Sequence, residues 1–218
     1  MPVSCGQGWA FKVIECRVLG ESLENKMKKF IASAAITAAL AVSTPASAQT
    51  ATNIDAILAD IALQCGATAT LTDCNTLLAN YFAIGGLSAA DISRVTAVAI
   101  ASLKDSAGSD GAVSTEIDQI IGSATAALTS SGASQSAVNS AVSNITVAVL
   151  EVVEERDLQD DAGAASNVVN ALEDLADTST DNSQANAIDD IASIIEVGGS
   201  IVDVIEEIEI VNSYASPA

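Results

Sequence analysis

The stretch VNSAVSNITVAVLEV, residues 138–152, decides the fold class. Its apolar residues Val138, Val142, Ile145, Val149 and Val152 step by 4, 3, 4 and 3, which places them on one stripe of an α-helix. A strand would turn alternate residues to opposite faces and bring this set out of register. The same spacing serves the seam of a coiled coil, but the run is short and weakly flanked by charge pairs. It therefore reads as the core stripe of one helix inside a bundle.

Outward from this helix, apolar residues keep a helical period and the segments between them carry Gly, Ser, Thr, Asn and Asp. Upstream, a first helix from about Asn53 to Cys65 turns Ile54, Ile57, Leu58 and Ile61 inward. A second, starting near Cys74, presents Leu77, Leu78, Tyr81 and Ile84 and stops at Gly85-Gly86. Ser88 with Asp91 forms a variant capping box that opens a third, with Ile92, Val95, Ala99 and Leu103 buried. After a polar loop from Asp105 to Gly111, Thr115 and Asp118 offer a similar start to a fourth, carrying Ile117, Ile120, Ile121, Ala124 and Leu128.

Downstream, Ala164–Ala176 and Ser183–Val211 turn Val168, Leu172 and Leu175, then Ile188, Ile191, Ile195, Val202, Ile205 and Ile208, toward the core. Gly198-Gly199 should kink or split the last of these, since glycine inside a helix costs roughly 1 kcal/mol relative to alanine. The expected fold is all-α: an antiparallel bundle of about six to seven short helices. Asn170–Ala176 echoes Asn186–Ala192 at an offset of 16 residues. That is shorter than known solenoid units of roughly 20 to 50 residues, so it does not define a repeat protein.

Cys65 and Cys74 are expected to pair, because they are close, even in number, and accompanied by no CxxC and no histidine. Their disulfide would tie the end of the first helix to the start of the second, stabilising a helical hairpin by about 2 to 3 kcal/mol.

An oxidising compartment suits this bond, and Met27–Ala48 supplies a route to one. Met27-Lys28-Lys29 is a basic start, Phe30–Val42 an apolar run, Pro45 a helix breaker and Ala46-Ser47-Ala48 a peptidase site, which together read as a secretory signal peptide. The apolar run of 13 residues is shorter than the roughly 20 that span a bilayer. Residues 1–26, with Cys5, Trp9, Phe11 and Cys16, differ in composition from the rest and read as an untranslated upstream extension. A ribosome-binding GGAG would precede Met27 if Leu23-Glu24 were encoded TTG-GAG. The protein is therefore expected to be exported, periplasmic or secreted, and not membrane-inserted after cleavage.

Residues 49–218 form the expected single acidic helical domain. They retain three cations, Arg94, Lys104 and Arg156, of the chain's 8, and 25 of its 28 carboxylates, a net charge of −22. Such a field repels phosphate backbones and anionic lipid, which excludes nucleic acid as a partner. The chain has no histidine, the commonest general base and metal ligand. It also has no GxSxG, P-loop, GxGxxG or HExxH motif, and Lys104 has Ala101 where an SxxK nucleophile would stand. The carboxylate pairs Asp160-Asp161, Glu173-Asp174 and Asp189-Asp190 read as solvated helix faces. No catalytic residue is assigned.

The metal candidates are Asp105, Asp110 and Glu116. Asp105–Glu116 has the 12-residue length of an EF-hand loop with Asp first and Glu last. Its interior disagrees: Ala107 and Ser109 stand third and fifth, and Asp110 takes the sixth place where glycine is needed. A polar connector is the favoured reading, with calcium the minor one and no other cofactor. The sequence thus points to an exported, non-enzymatic helical protein with a structural role or an unknown protein partner. The alternative is low-affinity divalent-cation binding.

Export makes a direct prediction. N-terminal sequencing of the protein recovered outside the cytoplasm should begin at Gln49, and intact mass of the precursor should begin at Met27. A mature chain that keeps residues 27–48 contradicts the first, and a precursor beginning at Met1 the second.

Overall fold

Runs rich in Ala, Val and Ile, punctuated by Gly, Ser and Asp, fold into eight α-helices with no strand among the described residues. The structure, a computed structural model, describes residues 48–66, 71–200 and 205–214. The upstream extension 1–26 and the signal sequence up to Ser47 lie outside them. The helices are α1 (Ala48–Gln64), α2 (Leu71–Ile84), α3 (Ala89–Ser102), α4 (Asp110–Ser130), α5 (Gln135–Arg156), α6 (Ala162–Thr178), α7 (Asn182–Glu196) and α8 (Ile205–Ser213). Short 3-10 turns at Leu103–Asp105 and Leu158–Asp160 follow α3 and α5.

Small polar side chains start most of these helices by accepting orphan backbone N–H groups. Ser88 and Asp91 form a complete capping box at α3. Ser109 caps α4, Ser134 caps α5, Asp161 caps α6 and Asp181 caps α7. The cap of α4 corrects the expected start at Thr115, whose hydroxyl instead donates back to the Gly111 carbonyl within the first turns. α1 begins at Ala48 rather than Asn53, and α2 at Leu71 rather than near Cys74.

The last expected helix is divided. α7 ends at Glu196, Gly198 takes a left-handed φ of +73°, and a side chain at Gly199 would meet Ile194 Cγ2 at 2.4 Å. Gly198 N–H and Gly199 N–H instead bond the Ile195 and Ile194 carbonyls, at 3.0 and 2.8 Å, and close the helix. Glycine splits the segment here because only it tolerates both the left-handed turn and the close approach. Val202 and the Ile205 side chain lie outside the described residues.

Consecutive helices reverse direction, and each also packs on the helix two places along: α1 on α3, α3 on α5, α2 on α4 and α4 on α6. Two layers of antiparallel hairpins result, with helices parallel within each layer. Hydrogen bonds join corresponding positions along the stack. Ser93 Oγ near the start of α3 donates to the Ala141 carbonyl near the start of α5, and Asn167 Nδ2 of α6 donates to Ser114 Oγ and Thr115 Oγ1 of α4. α7 packs chiefly on α6, and α8 returns to α5, where Ser143 Oγ donates to the Val211 carbonyl in its last turn.

The core lies between and within the layers. Val142, Ile145, Val149 and Val152 of the central stripe are fully buried, and Val138 is packed against the core at its edge. Each such side chain contributes on the order of 1.5 to 3 kcal/mol by leaving water. Ile117, Ile120, Ile121, Ala124 and Leu128 of α4 and Ile188, Ile191 and Ile195 of α7 are buried as their spacing implied. Ile84 is the exception: in the last turn of α2 it projects into solvent, 77% exposed. The two echoed heptads lie on α6 and α7, which bury the equivalent pairs Leu172/Ile188 and Leu175/Ile191.

One cation fastens four segments of this stack. Arg156, the last residue of α5, reaches the first residue of α4 through Nε and Nη2, which bond Asp110 Oδ1 at 3.1 and 2.8 Å. Its remaining donors go to the carbonyls of Ser106 at 2.9 Å, Gly108 at 2.8 Å and Lys104 at 3.3 Å. The guanidinium therefore satisfies the carbonyls left open after α3, holds the connector and anchors the start of α4. Lys104, by contrast, meets Glu155 at 3.9 Å with both side chains largely in water, a pair of little weight.

Arg156→Met should therefore lower the unfolding free energy by about 2 to 4 kcal/mol, read from urea denaturation, by removing the fork and leaving its acceptors unpaired. Arg156→Lys should recover less than half of this, because an ammonium lacks the planar array of donors. Full recovery by lysine would show that charge alone is what matters.

Candidate functional site

The carboxylates proposed for calcium do not meet. Asp105 closes the 3-10 turn and is exposed, Asp110 is held by Arg156, and Glu116 lies inside α4, 4% exposed. Because α4 starts at Asp110, the second half of the Asp105–Glu116 stretch is helix and cannot wrap an ion as an EF-hand loop does. Glu116 Oε1 instead accepts the Asn75 backbone N–H at 2.7 Å, placing a carboxylate against the N-terminal half of α2. Among the described residues, no group of three or more Asp, Glu, Cys or His side chains converges as a metal would require.

The expected disulfide is present between Cys65, just past α1, and Cys74, in the first turn of α2, with their Cα atoms 4.9 Å apart. Both residues are buried, at 2% and 0% exposure. Farther along the same hairpin, Tyr81 OH donates to Asp60 Oδ2 at 2.6 Å. That bond pushes the Tyr81 hydroxyl up to about 12 and holds the Asp60 carboxyl below its ordinary value.

Acid does converge loosely at one place. A groove of about 330 Å³ runs between α6 and α7, lined by Val169, Glu173 and Asp177 on one side and Asp189, Ala192, Ser193 and Glu196 on the other. Burial, with Asp177 and Asp190 nearby, raises the Asp189 carboxyl above its ordinary value. Burial likewise raises Asp118, with Asp174 adding to it, and Glu151 and Glu154 on the last turns of α5. Lys104 partly offsets the effect at Glu151, whereas Glu155, Glu151 and Asp157 reinforce it at Glu154.

The interior polar groups serve the fold. Asn139 Oδ1 accepts both the N–H and the hydroxyl of Thr180 at 2.9 Å, Gln184 Nε2 donates to the Asn139 carbonyl, and Ser179 Oγ donates to Gln184 Oε1. This network pins the α6–α7 turn to the start of α5. Thr96 and Thr146 return their hydroxyls to the carbonyls of Ile92 and Val142. Among the described residues, Gln159 Oε1 is the buried side-chain acceptor left without a partner.

α5 is also the one described helix long and apolar enough to cross a membrane, but it is the central helix of the stack and its apolar face is buried there. The exposed large apolar side chains among the described residues are Leu63 on α1, Ile84 on α2, Val197 just past α7 and Ile210 on α8. No protein-family model, characterised protein or solved structure matches this chain.

The sequence reading overlooked the Arg156 clamp and the Asn139–Gln184 network. An arginine, one of only three cations in residues 49–218, and two amides on apolar faces were the available signals.

The displaced carboxyls set a pH dependence. Asp118, Glu151, Glu154 and Asp189 are raised on folding, so their stabilising contribution is complete below the ordinary carboxylate range and is lost as pH rises through their folded values. Asp60, held by Tyr81 and Gln64, and Asp181, held by Tyr214 and the Gln184 and Ser183 amides, are lowered. Their contribution is present above the ordinary range and is lost as pH falls through their folded values. Tm followed by circular dichroism should therefore climb as pH is lowered from 7 to about 5 and turn over below about 4. A Tm that falls steadily from pH 7 to 5 would contradict this.

Proposed function

We propose that this is an exported, non-enzymatic helical protein with a structural or protein-interaction role. The observation that carries the reading is the use of the interior: the buried Ser93, Ser114, Glu116, Asn139, Ser143 and Gln184 side chains each bond another helix or turn, while Thr96 and Thr146 bond their own helices. Such a layout stiffens a scaffold. The disulfide supports export, since such bonds persist in oxidising compartments. A net charge of −22 after leader removal keeps such a protein soluble and apart from other acidic surfaces.

The second reading, low-affinity divalent-cation binding, is favoured by one feature, the acid-lined groove between α6 and α7. A ligand that binds only the folded state raises its stability.

Thermal unfolding in millimolar calcium and in sodium chloride of matched ionic strength separates the two. Equal gains in Tm are expected, because screening relieves the self-repulsion of the chain whatever the cation. A gain of several degrees with calcium alone, lost in Asp189→Asn, would replace the structural reading with the cation one.

A further inference from the structure

The α1–α2 hairpin is attached to the stack in a way that differs from its neighbours. Its buried apolar anchors are Ile54, Ile57, Ile61 and Leu78, together with the two cysteines themselves, and Leu58, Leu77, Tyr81 and Phe82 pack partly buried against the core. Its polar anchors gather at Asn75, whose N–H bonds the Glu116 carboxylate, whose Nδ2 donates to Gln119 Oε1 at 3.4 Å and whose Oδ1 accepts from Ser123 Oγ at 2.9 Å. Lifting α2 from α4 returns that carboxylate to water, so this contact resists undocking less than an apolar one of equal area. Within the hairpin, the disulfide and the Tyr81–Asp60 bond are the cross-helix ties.

We propose that the Cys65–Cys74 disulfide is a redox latch for this hairpin. With the sulfurs bonded, α1 and α2 stay seated on α3 and α4; with both as thiols, the hairpin lifts off locally about a hundredfold more often while α3 to α7 stay folded. Reduction transfers two electrons and two protons from a dithiol to the S–S bond, giving two thiols and leaving the reductant as a disulfide. Oxidation by a disulfide-bearing partner runs the same exchange in reverse. Cross-linking at a sequence separation of 9 removes enough unfolded-chain freedom to shift the docking equilibrium on the order of a hundredfold. The use of the latch rests on the export reading. A chain in a reducing compartment would open this hairpin about a hundredfold more often than the same chain after oxidation.

Hydrogen exchange followed by mass spectrometry tests the latch on the protein as its host processes it, with and without dithiothreitol. A Cys65→Ala/Cys74→Ala variant provides the same comparison without reductant access to buried sulfurs. Amides of residues 54–84 should exchange about a hundredfold faster when the bond is absent, while α3 to α7 keep their protection. Unchanged protection in 54–84 would overturn the proposal, as would an equal loss across all helices. The N-terminal residue of the exported chain judges the export reading separately, so the two failures are distinguishable.

Discussion

The stack depends on one guanidinium. Arg156 ends α5, yet its five donors are spent on residues some fifty positions earlier: the Asp110 carboxylate and the carbonyls that follow α3. Without such a group, the turn between α3 and α4 would carry several backbone carbonyls with no helical partner, close to the core. A planar fork with fixed geometry also sets the distance and angle between the two hairpins, which an apolar contact alone leaves adjustable. Asp157, immediately after it, takes a left-handed φ of +52° that turns the chain away and into α6.

Around that fixed joint the rest of the charge is nearly all of one sign. The stack tolerates it because most of its carboxylates lie at least partly in water; Glu116 is buried against the Asn75 N–H, and partly buried ones such as Glu154 and Asp189 hold their protons more tightly. The C-terminal end of α5 is an unfavourable place for Glu151, Glu154 and Glu155, since it is also the negative end of the helix dipole. Arg156, placed among them in that last turn, offsets part of this locally.

Much of the fold was legible because it is local. The capping box at Ser88, the buried stripes of α4, α5 and α7, the pairing of Cys65 with Cys74 and the break at Gly198-Gly199 all follow from neighbours within a turn or two. The missed boundaries share a cause. Asp110-Gly111 reads as a loop by composition, and it becomes helix because Ser109 caps it and Arg156 anchors it from another hairpin. Glu116 looked like a loop ligand because nothing nearby in sequence reveals that α2 will cover it. The order of the layers and the Asn139–Gln184 network are likewise products of contacts between segments far apart in the chain, of which the sequence marks at most an amide on an apolar face and never its partner.

The two-layer arrangement has a consequence for how the protein can vary. From α1 to α6 each helix meets its sequence neighbours and the helices two places away. A stack of that kind behaves as a one-dimensional array, in which stability is a sum over units and the joints between them. The joint at Gly85-Gly86, where both glycines take positive φ and no atom crowds either position, is one place where such an array can be opened. A hairpin of similar dimensions inserted there would have to take over the α1–α3 and α2–α4 contacts, the Asn75–Glu116 bond among them, while the joints from α3 onward stay as they are, so the length of the molecule is a quantity that descent can change at the cost of remaking one joint.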